Sequence, residues 1–415
     1  MQRVTDQAWL TPVEIFQPHY ATAVARSILK RHDKLYGPGE PLQIAEYGGG
    51  NATAALDIIS CVEREAPAMY SGMRYRLLEA SAALAQAQKA RLLAAGVPRD
   101  KFEVVHMPSA MWAEETIDVQ ASDGPWFVVA FELLDNLSHD KLRLVDGPAG
   151  TELYEAHVLA STSNNQSRSW EEEFRPLADP VLHGVATMLG LDTREGVNAL
   201  RHAMLWLPKK DSFGFLEGLQ ETLSNMMYSM GSVSSQNIQP AVDVFVPTGS
   251  WLLLRHICSC FPEHQLTLAD FNSFPPSPAE QPVNTPLVQS QQGGHTRDWH
   301  GDYLAAPRGH ADVMFATHFD SLAIMHAAAE SISRTTAVTN GNNAVTNESN
   351  TVKNDGEVTN DVESRAVSVE TVRATTVSTA EFMRGHADLE CVRCLDGYNP
   401  LLEDFSNTSI LITET

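Results

Sequence analysis

The chain has 415 residues, 43% of them hydrophobic, and a formal net charge of −23. That length holds one large domain with insertions or two domains, with a sizeable buried core. The acidity excludes a duplex nucleic-acid binder, which needs a basic footprint to displace counterions, and no apolar run approaches the roughly 20 residues of a membrane span.

The first segment, "MQRVTDQAWLTPVEIF", has neither an apolar signal-peptide core nor the Arg-rich composition of a transit peptide. "LQIAEY" (42–47) then reads as a buried strand that stops at glycine, and "ATAALDIISCVER" follows with Leu56, Ile59 and Val62 at helical spacing. "MRYRLLEA" (73–80) alternates and ends in an acid. "SAALAQAQKARLLAAG" (81–96) is rich in helix formers and closes on Gly96. "KFEVVHM" (101–107) is a further strand, and "WFVVAFELLDNL" (126–137) is a near-continuous apolar run of the kind buried on both faces. Strands alternating with helices predict a parallel sheet with right-handed crossovers.

From about Trp170 to Val233 the patterns read as helical, which predicts a helical insertion capping the sheet. "QLTLADF" (265–271) and "ADVMFATHF" (311–319) read as strands returning to that sheet, separated by a Pro/Gln/Ser-rich loop. Residues 334–378 carry Thr, Asn, Val, Ser and charges without aromatics, Leu or Ile, and "AVTN" occurs twice. Such a segment buries too little apolar surface to offset its ordering entropy, so it reads as a disordered insertion. "STAEFMRGHADL" is helical and "TSILIT" reads as a last strand. The domain boundaries that result are 11–150 for a cofactor-binding half, 151–248 for the cap, and 249–330 with 379–415 for the rest of the sheet.

Five cysteines are too few for a disulfide scaffold. Cys258 and Cys260 with Cys391 and Cys394 could form a four-thiolate zinc site, or be reduced thiols on separate elements; C-x-C is not the usual knuckle spacing, which favours the latter.

A parallel sheet binds ligands at the carboxyl ends of its strands. Gly48, Gly49 and Gly50 at the first strand-to-helix turn let the backbone bend tightly and approach a ligand without a Cβ between, and the helix start offers amide donors. Glu79, ending the next strand, is placed to accept both hydroxyls of a ribose. A dinucleotide fingerprint would need glycine at 53, where the chain has Thr53. Glu46 before the turn would repel a diphosphate, but can face the ammonium of S-adenosylmethionine or hold the loop's own amides. These features disfavour a nicotinamide oxidoreductase. "FELLDNLSHD" brings Glu132, Asp135, Asn136, His139 and Asp140 to the end of the fourth strand. A substrate guanidinium would suit these carboxylates; a helix cap by Asp135 or Asn136 is the other reading.

"LQIAEYGGGNAT", "YRLLEASAALAQAQ", "FELLDNLSHD", "VFVPTGSW", "ADVMFATHF" and "DGYNPLLEDFSNTS" together resemble the MidA-like family of S-adenosylmethionine-dependent methyltransferases, over roughly 11–330 and 379–413. The group includes the mitochondrial protein arginine methyltransferase that assists complex I assembly. The resemblance implies a class I methyltransferase (Rossmann-like, doubly wound α/β) fold with a helical cap, S-adenosyl-L-methionine as cofactor, no metal, a mitochondrial location and no nucleic-acid partner. It implies cofactor contacts from Glu46, Gly48, Gly49, Gly50 and Glu79, and a substrate-side motif of Glu132, Asp135 and Asn136. It further implies symmetric dimethylation of an arginine in a protein substrate, a respiratory complex I subunit. The chain departs from the family at Ala52, in place of a third glycine that gives the cofactor room, at Ser138, in place of proline, and at His318, in place of aspartate. After the third strand, Ser109 stands in for the usual acid near the adenine. These departures keep a catalytically degenerate assembly protein of the same fold as the alternative.

Overall fold

The computed structural model of the protein describes residues 11–37, 39–108, 125–148, 150–162, 168–204, 240–274, 281–292, 295–299, 301–347 and 373–414. The chain divides into two compact units, one of Met1–Ser138, Pro247–Asn272 and Thr317–Thr415, the other of His139–Val246 and Ser273–Ala316.

The first unit is built on β1 (Gln43–Tyr47), β2 (Arg74–Glu79), β3 (Phe102–His106), β4 (Trp126–Phe131), β9 (His264–Phe271), β13 (Arg373–Ser378) and β14 (Thr408–Glu414). They form one seven-stranded sheet in the order β13-β14-β9-β4-β1-β2-β3. β3, β2, β1, β4 and β9 run parallel, and β14 is antiparallel to both β9 and β13. The chain lays down β1, β2 and β3 outward on one side, then returns to place β4 on the other side of β1. This reversal leaves a crevice beyond the carboxyl ends of β1 and β4, where ligands of such sheets bind.

Helices cover both faces because the strands are apolar on both. α1 (His19–Leu35) presents Tyr20, Ala21, Val24 and Ile28 at helical spacing and packs them with Ile58 and Val62 of α2 (Thr53–Glu65) onto Ile44, Leu77, Phe127 and Val129. Fully burying an Ile or Phe contributes about 1.5–3 kcal/mol, so this layer anchors the helix that follows the glycine turn. Alternate strand residues point the other way: Trp126 meets the Phe261 ring at 5.1 Å, and Tyr47 meets His256 at 6.0 Å. His256 lies on α6 (Thr248–Cys260), which packs against α7 (Phe319–Asn347). α3 (Ala82–Ala94) crosses from β2 to β3; Ser81 caps its start, and Gly96 follows its end at φ +83°. α8 (Thr379–His386) buries Phe382 and Met383 beside α1.

The second unit differs from the expected helical cap. β5 (Asp140–Gly147), β6 (Gly150–Thr162), β7 (Arg168–Pro176) and β8 (Val242–Val246) form an antiparallel sheet in the order β7-β6-β5-β8. Only α4 (Pro180–Met188) and α5 (Arg194–Ala203) are helical between them among the described residues. "SWEEEFRP" looks helical because a run of acids hides its period of two. Glu172 and Phe174 share a face: Lys141 binds Glu172 at 2.6 Å, and Arg143 lies 3.5 Å over Phe174 while forking onto Asp243 at 2.7 and 2.8 Å. The expected helix around "GFLEGLQETLSNMMYSMGSV" lies outside the described residues.

Two more expectations are corrected. "ADVMFATHF" does not rejoin the main sheet: β12 (Ala311–Met314) pairs with β10 (Leu287–Gln292), which also pairs with β11 (His295–Asp298), in a separate three-stranded sheet of the second unit. The segment 334–378 is ordered at both ends. α7 continues to Asn347, and β13 pairs along β14 from Arg373↔Glu414 to Ser378↔Ser409; residues 348–372 lie outside the described set. The helix extends because its start is anchored by buried Phe319, Leu322, Met325 and Ala329, and propagation costs far less than nucleation.

Candidate functional site: a glycine turn beside a buried acid cluster

β1 is buried at all five positions and ends at Gly48, whose N–H donates to the Leu78 carbonyl at 3.0 Å. The three glycines have different reasons. Gly48 sits at φ +69°, and a Cβ there would come within 2.9 Å of Leu133 Cδ1. Gly49 is needed for packing, since its Cβ would meet Leu77 Cδ2 at 2.7 Å and the Glu46 carboxyl at 3.4 Å. Gly50, at φ +48°, has open space where a Cβ would be. Ala52 caps α2 at φ +60°. It is fully buried in the core with Ile58 and Leu77, so its methyl group is a core contact. Left-handed backbone at a non-glycine residue costs about 1–2 kcal/mol.

Glu46 is buried beneath this turn and accepts the Tyr75 hydroxyl at 2.8 Å. Burial pushes its carboxyl up to about 7, against the Tyr75 bond and with the neighbouring Glu79. Of its two expected roles, holding loop amides gives way to the Tyr75 bond, and an ammonium approaching the turn would favour its ionised form.

Glu79 ends β2 and is buried. One oxygen accepts the Ser81 N–H at 2.9 Å and the other accepts Gln88 Nε2 at 2.8 Å. Each oxygen keeps a lone pair for one more donor. Gln88 also donates to the Gly50 carbonyl at 3.0 Å, while Arg91, one turn further on α3, donates to the Asn51 carbonyl at 2.7 Å and to Thr53 Oγ1 at 3.0 Å. Helix α3 thus holds both the glycine turn and the acid. Neither Gln88 nor Arg91 is evident from the sequence, where polar residues three apart on a helix read as a solvent face; Gln88 is only 1% exposed. Ser109 lies outside the described residues.

The second half of the site follows β4. Glu132 adopts φ +49°, held by its N–H on the Ala269 carbonyl at 2.9 Å. Burial, then Asp135 and Glu14, push its carboxyl up to about 8. Asp135 is buried in a short 3₁₀ turn, Leu134–Asn136, and accepts Asn136 Nδ2 at 2.6 Å. Asn136 is exposed and orients Asp135; neither forms the helix cap that was the other reading. The turn is fixed by Asp270 at the end of β9, a residue sequence reasoning missed. One Asp270 oxygen accepts the N–H of Leu134 at 2.7 Å and of Asp135 at 3.1 Å, and the other accepts the N–H of Phe271 at 2.7 Å. Burial and the Asp135 charge hold Asp270 well above the usual carboxylate range. Its signal in the sequence was an acid closing an apolar strand, as at Glu46 and Glu79.

Ser138 is pinned by Gly249, whose N–H donates to its carbonyl at 2.9 Å and whose Cβ, if present, would lie 2.7 Å from that oxygen. This close approach is what "VPTGSW" supplies. His318, where the family resemblance implies an aspartate, has a local role of its own. Burial lowers its pKa, and Nδ1 accepts the Ser321 N–H at 3.3 Å at the start of α7. His139 belongs to the second unit, where its ring stacks on Phe315 at 3.9 Å.

A seven-stranded sheet with one antiparallel strand, a glycine turn after β1 and an acid after β2 defines the class I fold of S-adenosylmethionine-dependent methyltransferases. Residues 23–338 match the family described as "Putative S-adenosyl-L-methionine-dependent methyltransferase", and the chain belongs to that family. A protein from Burkholderia thailandensis, crystallised with S-adenosyl-homocysteine bound, is similar in fold. It has a TM-score of 0.52 and 12% identity, covering 98% of this chain and 79% of that one. A native structure of a same-superfamily protein of that organism aligns at TM-score 0.48 and 11% identity, covering 95% of this chain and 79% of that one. No curated protein matches the chain by sequence. Among the described residues no helix is long and apolar enough to cross a membrane.

The residues fit the cofactor. The position beyond Gly50 is open, Glu79 retains acceptor capacity, and the first turn of α2 offers amides that lack helical partners. Glu79 would hold the ribose, Gly48–Gly50 the amino-acid chain of the cofactor, and Glu46 would balance the ammonium of that chain.

Proposed function

We propose that the protein transfers a methyl group to an arginine side chain of a protein substrate, giving symmetric dimethylation. We further propose a respiratory complex I subunit as that substrate and the mitochondrion as the location, both on the strength of the family resemblance. The observation that supports an arginine target is the acid cluster: Glu132, Asp135 and Asp270 lie together at the ends of β4 and β9, two with carboxyls pushed up by burial and mutual repulsion. Such a cluster is relieved by a cation, and a planar guanidinium matches carboxylates through paired, charge-assisted hydrogen bonds.

S-adenosylmethionine supplies an electrophilic methyl on a sulfonium sulfur. Glu132 and Asp135 then have three tasks. They align the guanidinium, keep its charge away from the attacking nitrogen, and hold water out. The proton lost from that nitrogen passes to the Glu132 carboxylate, which is a good acceptor near neutral pH.

Glu132 must be ionised to bind the guanidinium, and in the free protein it ionises near pH 8. We therefore expect kcat/KM for a basic arginine peptide to rise as pH rises through about 8. In Glu132→Gln it falls about 100-fold, and that pH limb disappears. The same peptide, incubated with methyl-labelled cofactor and read by tandem mass spectrometry, carries the label on guanidinium nitrogens. Label on lysine or on a small molecule, or an activity indifferent to Glu132→Gln, contradicts the assignment; cofactor binding without any transfer supports a degenerate assembly protein.

A further inference from the structure

Away from this site, three metal-binding side chains converge in the first unit. Cys258 lies in the last turn of α6, His264 opens β9 and His326 lies on α7; they are 2%, 3% and 1% exposed. One ligand atom from each lies within 4.8 Å of the others. Of the four thiols that the sequence spacing groups, Cys258 alone takes part: Cys391 and Cys394 are exposed, and Cys260 contacts His256.

The hydrogen bonds fix how the imidazoles face. His264 Nδ1 lies 2.6 Å from the Phe261 carbonyl, which can only accept, so Nδ1 carries the proton and Nε2 presents a lone pair. That lone pair points at His326 Nε2, 2.8 Å away. Anchoring one ring nitrogen on a carbonyl so that the other is free to ligate is the usual support of a metal-bound histidine. Glu330, one turn beyond His326, is 9% exposed and brings Oε1 to 3.8 Å from His326 Nε2.

We propose that Cys258, His264, His326 and Glu330 form a closed structural zinc site that ties α6, β9 and α7 together. A thiolate with imidazoles selects zinc over magnesium or calcium. Zinc with its usual bond lengths spaces tetrahedral ligand atoms about 3.3–3.6 Å apart. The histidine pair would therefore open by about 0.5 Å as the ion takes the place of the proton it shares, and the thiol would close in by about 1 Å. One thiolate, one carboxylate and two neutral imidazoles balance a divalent ion, and half-exposed Arg334 stays outside the ligand set, 3.6 Å from the other Glu330 oxygen. Four protein ligands leave no open position, so the ion contributes to folding and takes no part in methyl transfer. On binding, the Cys258 proton leaves to solvent, the shared proton of His326 Nε2 is replaced by one on Nδ1 so that the ring stays neutral, and the sulfur–metal and nitrogen–metal bonds form; nothing is oxidised or reduced.

Cobalt(II) reports this site by the thiolate-to-metal charge-transfer absorption that zinc lacks. The full chain with Cys391→Ser and Cys394→Ser, which removes the exposed pair, is expected to bind one equivalent with that band. Zinc should displace it, and zinc should raise Tm. Cys258→Ser should abolish the band, and His326→Ala should weaken binding at least about 10-fold. The proposal is overturned if the Cys391→Ser/Cys394→Ser chain, folded by circular dichroism, gives no saturable band. It is equally overturned if the band persists in Cys258→Ser, or if zinc leaves Tm unchanged.

Discussion

Asp270→Ala is expected to lose about 3 kcal/mol of stability, as a fall in the denaturant midpoint without a change in slope. Three backbone N–H groups end on this one carboxyl, and it is 1% exposed. Alanine leaves all three buried without an acceptor, at about 1–3 kcal/mol each where no water enters. An opposing effect reduces the total: removing Asp270 relieves its repulsion with Asp135 and Glu132. The sign of the pH dependence separates the two. A carboxyl with a raised folded pKa holds a proton that the unfolded chain releases, so the folded state loses stability as pH climbs from the ordinary carboxylate range through the folded pKa. The wild type is therefore penalised progressively as pH rises, and the deficit of Asp270→Ala should be largest at the acid end of the ordinary carboxylate range and shrink as pH climbs from there. Cofactor affinity should change little, because Asp270 holds the loop after β4 and not the glycine turn. A deficit that grows with pH would show that the acids are not mutually repelling.

Glu79→Ala acts on the other half. Its carboxylate is the only charged group proposed to meet the ribose, and hydrogen bonds to a charged acceptor contribute about 1.5–3 kcal/mol each. Losing two of them, less what water recovers, predicts about a 100-fold weaker Kd by calorimetry. Part of the loss is indirect, because Gln88 spans Glu79 and the Gly50 carbonyl and without the acid the turn loses a strut. Gln88→Leu should therefore weaken binding by a smaller factor, and Glu79→Gln, which keeps one acceptor oxygen, should fall between. Equal affinity across all four chains would remove the ribose from this pocket.

How much of this was legible depended on whether neighbouring residues carried the signal. The turn after β1 was plain because an apolar run, three glycines and a helical pattern lie side by side. Glu79 was plain as an acid closing an apolar strand. Asp270 has the same signature in "LTLADF", but its partners, Leu134 and Asp135, are far away in the chain. Gln88 and Arg91 were hidden because their acceptors belong to another element, and a buried glutamine cannot be told from a solvated one by spacing. β7 was misread because Glu172 is neutralised by Lys141 and Phe174 is covered by Arg143, both on a different strand. "RATTVS" has the β-branched residues of a strand, but its neighbours' composition masked a pairing that β14 supplies. Conversely, Ala52 and His318 looked like losses of function, and the structure gives each a local role: one packs in the core, and the other caps α7.

The most direct test of the adenosyl pocket is a crystal of this protein soaked with S-adenosyl-homocysteine. The ribose hydroxyls should lie within hydrogen-bonding distance of the Glu79 carboxylate, with the homocysteine chain running over Gly48–Gly50 toward Glu132. Density for the ligand elsewhere, or a saturated crystal in which Glu79 still meets only Ser81 and Gln88, would contradict the assignment.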